Sequence, residues 1–226
     1  MTDSALHDYY AARAPEYDDW YLRRGRYSHG PAADAAWVAD LAAATRWLDE
    51  LAISGEIVEL AAGTGWWSQR LARRGELHAY DAVDEPLRIL RDRLADDGLT
   101  ARVEQRDAWA DPERAVDALF CGFWLSHVER DRLADFLSIC ARWLKPGGLF
   151  AFVDSRRDSD SSATNHPAPD EDVSVRRLDD GREFTIPKIY YDPAELEAAL
   201  IRAGFFTAEV ASTSRFFLLG HARVPG

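Results

Sequence analysis

The run Val58-Glu59-Leu60-Ala61-Ala62-Gly63-Thr64-Gly65 leaves a short apolar stretch and leads straight into a helical one. Glycines at such a junction let the backbone turn tightly and let a ligand approach with no Cβ in the way. In an open parallel sheet, this first strand-to-helix crevice is where nucleotide-like ligands sit. A pyrophosphate fits poorly here. Ser68 stands where a dinucleotide fingerprint has its third glycine, Trp66 and Trp67 crowd the turn, and Glu59 adds negative charge before it. A ligand without phosphates suits these residue types better. Upstream, Tyr9, Tyr10, Tyr17, Trp20, Tyr21 and Tyr27 form an aromatic segment, and aromatic faces attract sulfonium or ammonium cations. The densest basic run, Arg23-Arg24-Gly25-Arg26, reads as solvated surface, with a grip on an anionic group as the alternative.

The elements that must position these residues follow from hydrophobic period and turn chemistry. Residues 2–13 read as a short helix, ended near Ala14-Pro15 because the residue before proline avoids the helical region. Pro31 suits a first helical position, and residues 32–51 are alanine-rich with Trp37, Leu41, Ala44 and Leu48 near helical spacing. Strands over 57–61, 77–83, 101–105, 116–121 and 149–153 then alternate with helices over 66–73, 86–96 and 130–144. That alternation predicts a mainly parallel sheet covered on both faces. Residues 156–172 read as a loop, 173–178 and 183–191 as a hairpin turning at Asp179-Asp180-Gly181, and 193–203 as a helix. Residues 206–211 and 216–224 read as two closing strands, antiparallel at one edge. The expected organisation is a helical cap over 1–50, a ligand-binding core over 51–155, a loop and inserted hairpin over 156–192, and closing elements of the same domain over 193–226.

Composition narrows the partners. The 226 residues suit one α/β domain, and 47% hydrophobic residues suffice for its core. A net charge of −12 argues against nucleic acid, whose phosphates need a basic face. No apolar run approaches the about 18 residues of a membrane helix. The polar start is unlike a signal peptide, so the expected address is cytoplasmic. Cys121 and Cys140 make neither a disulfide framework nor a zinc spacing.

Residues 55–154 resemble the core of class I S-adenosylmethionine-dependent methyltransferases. Four segments match in order: Glu59 to Gly65, Ala82-Val83-Asp84, Arg106-Asp107-Ala108, and Trp143-Leu144-Lys145-Pro146-Gly147-Gly148-Leu149. The resemblance implies a Rossmann-like, seven-stranded, mostly parallel sheet with helices on both faces, S-adenosyl-L-methionine as cofactor, and methyl transfer to a small molecule. It assigns Glu59, Ala61, Gly63 and Gly65 to the glycine loop. Asp84 would take the two ribose hydroxyls, with Asp81 as runner-up, and Asp107 and Ala108 would meet the adenine. Phe123 and Tyr17 would line the cofactor. The aromatic N-terminus would fold over as a lid, Tyr10-x-x-x-Ala14-x-x-Tyr17-Asp18 resembling the family's pattern.

The end of the fourth strand lies beside the transferring methyl group in that family. Here it reads Phe123-Trp124-Leu125-Ser126-His127, without the Asn-Pro-Pro-Tyr or Pro-Cys signatures of base-modifying enzymes. His127 is the candidate general base, because an imidazole can take a proton near neutral pH. A packing role at the following helix is the alternative. Tyr10, His29, Trp124, Arg156 and Tyr190 are expected at the acceptor pocket. No metal is expected, since no carboxylate and amide ligand set stands near the site. Two other readings remain: a cofactor-binding protein on the same fold that steers a cyclisation without methylating, and a nicotinamide-dependent oxidoreductase. The hairpin edge could pair with a second copy, giving a homodimer.

Overall fold

Strand and helix alternate through the chain in the computed structural model, which describes residues 3–167 and 170–226. Three helices come first: α1 (Asp3–Arg13), α2 (Tyr17–Leu22) and α3 (Pro31–Glu50). Pro15 ends α1 in a single 3-10 turn, and Pro31 opens α3, where a missing N–H costs nothing. Then follow β1 (Gly55–Leu60), α4 (Ser68–Ala72), β2 (Gly75–Asp81), α5 (Asp84–Asp96), β3 (Arg102–Gln105), β4 (Val116–Gly122), α6 (Leu133–Arg142) and β5 (Leu144–Ser155). A hairpin of β6 (Val173–Arg177) and β7 (Glu183–Pro187) precedes α7 (Pro193–Arg202). The last helix starts on a capping box: Asp192 accepts from the Ala194 N–H at 2.9 Å, and Glu195 reaches back to the Asp192 N–H. β8 (Thr207–Ser212) and β9 (Phe217–Arg223) follow.

Among the described residues, seven strands form one sheet in the order β3-β2-β1-β4-β5-β9-β8. Its first five strands are parallel; β9 runs antiparallel to both neighbours. The order reverses between β1 and β4, and a ligand crevice opens at such a switch point, at the carboxyl ends of the strands.

Period-2 alternation sorts the side chains into two cores. Val58, Leu60, Tyr80, Leu119 and Cys121 pack with Phe136 and Leu137 of α6 and Leu196 of α7. Ile57, Leu77, Ala79 and Phe120 pack on the other face with Trp37 and Leu48 of α3, Leu71 of α4, and Leu87 and Leu90 of α5. The hairpin joins neither; Leu178 and Ile186 pack on Leu6 and Tyr9 of α1. Hairpin and N-terminal helix therefore hold one another.

Several boundaries differ from the sequence reading: β7 stops at Pro187 rather than at residue 191, α6 runs from Leu133 to Arg142 rather than over 130–144, and α4 from Ser68 to Ala72 rather than over 66–73. β2 stops at Asp81 rather than at residue 83, because the Asp81 carboxylate accepts from the Val83 N–H at 2.9 Å and turns the chain. β5 starts at Leu144, five residues before the expected strand, with a register irregularity opposite Val116 and Ala118 that absorbs Pro146 and its two glycines. Residue 2 of the expected first helix, and residues 168–169 of the expected loop, lie outside the described residues.

Candidate active site

β1 ends in a loop that turns through left-handed backbone at Ala61 (φ +53°), Gly63 (φ +56°) and Gly65 (φ +81°). The two glycines serve different ends. A Cβ on Gly65 would lie 2.7 Å from Leu90 Cγ, so this residue lets the loop pack on α5. A Cβ on Gly63 would meet nothing within 4 Å, and Gly63 borders a cavity. Its N–H donates to Asp81 at 2.9 Å, which ties the loop to the end of β2. Below the loop, Glu59 is buried and accepts from Ser68 Oγ at 2.5 Å. Burial pushes the Glu59 carboxyl up to about 8, so it is mostly protonated at neutral pH. It braces β1 against α4 and does not line the cavity.

That first chamber sits at the switch point. Ala61, Gly63, Ala108, Phe123 and Tyr17, which the resemblance assigns to the cofactor, border it, and so does Trp124, which was expected at the acceptor pocket. Asp84 does not. It stands half-buried at the start of α5, engaged with Arg88 at 2.8 Å and Arg91 at 3.2 Å. The carboxylate in the chamber wall is Asp81, the runner-up. Reading β2 two residues too long put the strand end beside Asp84, where the structure ends it at Asp81. Burial pushes Asp81 up to about 6, against the N–H donors of Val83 and Gly63 and with the Asp107 charge adding to the rise. Asp107 itself is outside the wall; it accepts from the Trp109 N–H at 2.9 Å and shapes the turn that presents Ala108.

A second chamber lies beyond a partition of Tyr10, Tyr17, Phe123 and His127, which border both spaces. Tyr190 lines it. His29 and Arg156 line neither chamber. His29 Nε2 is 2.7 Å from the Ser162 carbonyl, and Arg156 donates to the Thr213 carbonyl at 2.9 Å, so both are tied to loops. Two arginines of the basic run are also taken up internally. Arg23 is buried, donates to the Asp160 carbonyl at 2.5 Å and stands 3.5 Å from Asp34; Arg26 meets Glu16 at 2.5 Å. Arg24 between them is exposed, so the run is solvated surface at one arginine and internally paired at the other two.

His127 stands in the partition with both nitrogens engaged. Nδ1 donates to the Pro187 carbonyl at 2.8 Å, leaving Nε2 to accept from Tyr10 Oη at 2.6 Å. Burial, then the neighbouring Lys188, hold the imidazole well below its ordinary range, so it is neutral and Nε2 carries a free lone pair. Burial holds the Tyr10 phenol well above its usual range, consistent with its donor role.

The three Arg and Lys residues of the second chamber, Arg13, Arg176 and Lys188, were not singled out from sequence. A signal existed. Along β6 the burial is inverted, with Val173 39% exposed while Ser174 and Arg176 are buried. Continuing the alternation from Ile186 places Lys188 on the same face. Among the described residues no group of three metal-ligating side chains assembles, and no described helix is long and apolar enough to cross a membrane.

Residues 57–148 match a family model described as a methyltransferase domain. The ubiquinone/menaquinone biosynthesis C-methyltransferase UbiE of Chromobacterium violaceum is 32% identical over 99 residues, 41% of this chain and 40% of its own length. The chain thus spans about two fifths of that curated relative. Among solved structures, the DhpI–SAH and DhpI–SAM–HEP complexes each share 30% identity with it. The first covers 98% of this chain and 96% of its own at TM-score 0.75; the second covers 97% and 96% at 0.77.

Proposed function

Because this chain belongs to the class I S-adenosylmethionine-dependent methyltransferases, we propose that it moves a methyl group onto an oxygen, nitrogen or carbon centre of a small-molecule acceptor. One observation carries this reading: two chambers meet at a partition of Tyr10, Tyr17, Phe123 and His127. The first takes the cofactor and the second the acceptor. Carbon stays among the centres because the UbiE relative is a C-methyltransferase.

The first chamber fits the cofactor. Asp81 is a buried carboxylate with a raised pKa, bordering open space, and paired ribose hydroxyls would stabilise its charge. Ala108 would border the adenine, Gly63 leaves room for close approach, and the faces of Tyr17 and Phe123 would border the sulfonium. Bound there, S-adenosylmethionine supplies an electrophilic methyl carbon. The protein supplies alignment and a water-poor setting. His127 Nε2 would receive a proton from an acceptor hydroxyl or amine, and Tyr10 Oη marks where that donor would sit.

Incubation with methyl-labelled cofactor and a pool of acidic, hydroxylated and amino metabolites should release S-adenosylhomocysteine and label a product. S-adenosylhomocysteine at about 100 times its dissociation constant should also stabilise the fold by about 2.7 kcal/mol, where NADH should not. Binding without labelled product would favour a non-methylating role; stabilisation by NADH alone would overturn the reading.

A further inference from the structure

Arg13 at the end of α1, Arg176 on β6 and Lys188 just past β7 border the second chamber, each less than a tenth exposed. No described carboxylate lies within ion-pair distance of any of the three. Unpaired charges in a low-dielectric interior are costly, and three of one sign around one space compound that cost. What surrounds them is neutral. Arg13 lies over the Tyr17 ring at 4.5 Å and the Tyr9 ring at 5.6 Å, and its Nε has no partner. Arg176 Nη1 reaches Ser162 Oγ at 3.3 Å and His166 Nδ1 at 3.1 Å. Lys188 Nζ donates to Ser126 Oγ at 2.8 Å and Ser155 Oγ at 2.9 Å, which leaves one N–H of three. Asp154 acts on Lys188 from beyond ion-pair distance, while its own oxygens accept from the Ser126 and Ser155 N–H groups.

The geometry points to an oxyanion head group on the acceptor, a carboxylate or a phosphoryl group, seated among Arg13, Arg176 and Lys188. That the anion belongs to the methyl acceptor rests on the proposed function; that an anion binds rests on the buried cations. The two chambers differ in sign. The first has a carboxylate and no Arg or Lys in its wall; the second has three cations and no carboxylate. A cationic cofactor and an anionic acceptor are thereby sorted before they meet at the partition. Burial holds Lys188 down to about 7 and, with Arg176 adding, His166 down to about 3. The histidine is therefore neutral, and an arriving anion would keep the lysine protonated. The anion would also join α1 to the hairpin, two elements outside the main sheet.

The test is thermal unfolding of the purified chain, saturated with S-adenosylhomocysteine, against inorganic phosphate, a short alkylphosphonate, propionate, and chloride at matched ionic strength. A saturable rise with phosphoryl probes or with propionate, and none with chloride, is expected; which arm responds names the head group. Arg176→Gln and Lys188→Met should weaken that response about ten- to a hundredfold, and Arg176→Lys should restore part of it. S-adenosylhomocysteine affinity by calorimetry should stay within about threefold in Arg176→Gln, which lies outside the first chamber. Normal S-adenosylhomocysteine binding with no response to any oxyanion would overturn this inference alone. Loss of S-adenosylhomocysteine binding by the wild-type chain would instead overturn the methyltransferase reading. Should the variants misfold, the wild-type comparison of oxyanions with chloride decides by itself.

Discussion

Replacing Asp81 by asparagine tests the cofactor site at the residue where sequence and structure diverge. In the folded chain this carboxylate accepts from the Gly63 and Val83 N–H groups and, with a pKa near 6, is incompletely ionised in mild acid. Paired ribose hydroxyls donate only to its ionised form with full strength, so cofactor affinity should follow that form. With the pKa at about 6, about ten elevenths is ionised at pH 7 and about one eleventh at pH 5, so affinity should fall about tenfold across that interval. The sign for the fold is the reverse. An acid whose pKa is raised on folding binds more protons folded than unfolded, so its burial costs stability as pH rises from about 4 to 6. Bound ligand recovers part of that cost. Losing two charge-assisted contacts removes about 3 kcal/mol, roughly a hundredfold in affinity. Calorimetric titration with S-adenosylhomocysteine from pH 5 to 8 should show both effects in the wild-type chain. In Asp81→Asn affinity should be about a hundredfold lower and its pH dependence flat, while Asp84→Asn, altering only an exposed pair with Arg88 and Arg91, should match wild type within about twofold. Full affinity in Asp81→Asn, or loss confined to Asp84→Asn, would refute the assignment.

His127→Ala should lower turnover by at least about a hundredfold at saturating cofactor. Because the imidazole is held well below its ordinary range, an acid limb due to it should fall below pH 6.5; a drop under tenfold would make it a packing residue. The glycines of the loop should separate by phenotype. Gly65→Ala, strained by positive φ and by Leu90 at 2.7 Å, should cost about 2–3 kcal/mol in denaturant unfolding. Gly63→Ala, with open space before its Cβ, should cost about 1 kcal/mol while weakening cofactor binding; equal stability losses would contradict this division.

What the sequence made legible was local or periodic. The glycine loop, the strand alternation and the hairpin turn are each specified by neighbouring residues; the family resemblance then pointed to Tyr17, Ala108, Phe123 and His127, which with Gly63 border a cavity. The choice between Asp81 and Asp84 was not local in that way. Ala82 and Val83 are apolar enough to prolong a strand, and only the bond from the Val83 N–H to Asp81 ends it. Arg13, Arg176 and Lys188 were harder still. A long cationic side chain on an amphipathic element ordinarily reaches water, and these are buried because α1 closes on a hairpin over 160 residues away in the chain.

The place of β9 in the sheet also bears on how the chain is made. β5 has side chains buried throughout residues 149–155, yet one of its hydrogen-bonding edges is covered only by β9, the last strand in the sequence. A ribosome adding about 5–20 residues per second needs roughly 3–14 s to go from Ser155 to Arg223. For that interval a long apolar strand presents an open edge, the kind that pairs with any other extended chain. Much of the crevice can assemble early, but the nascent protein stays adhesive until its final strand arrives.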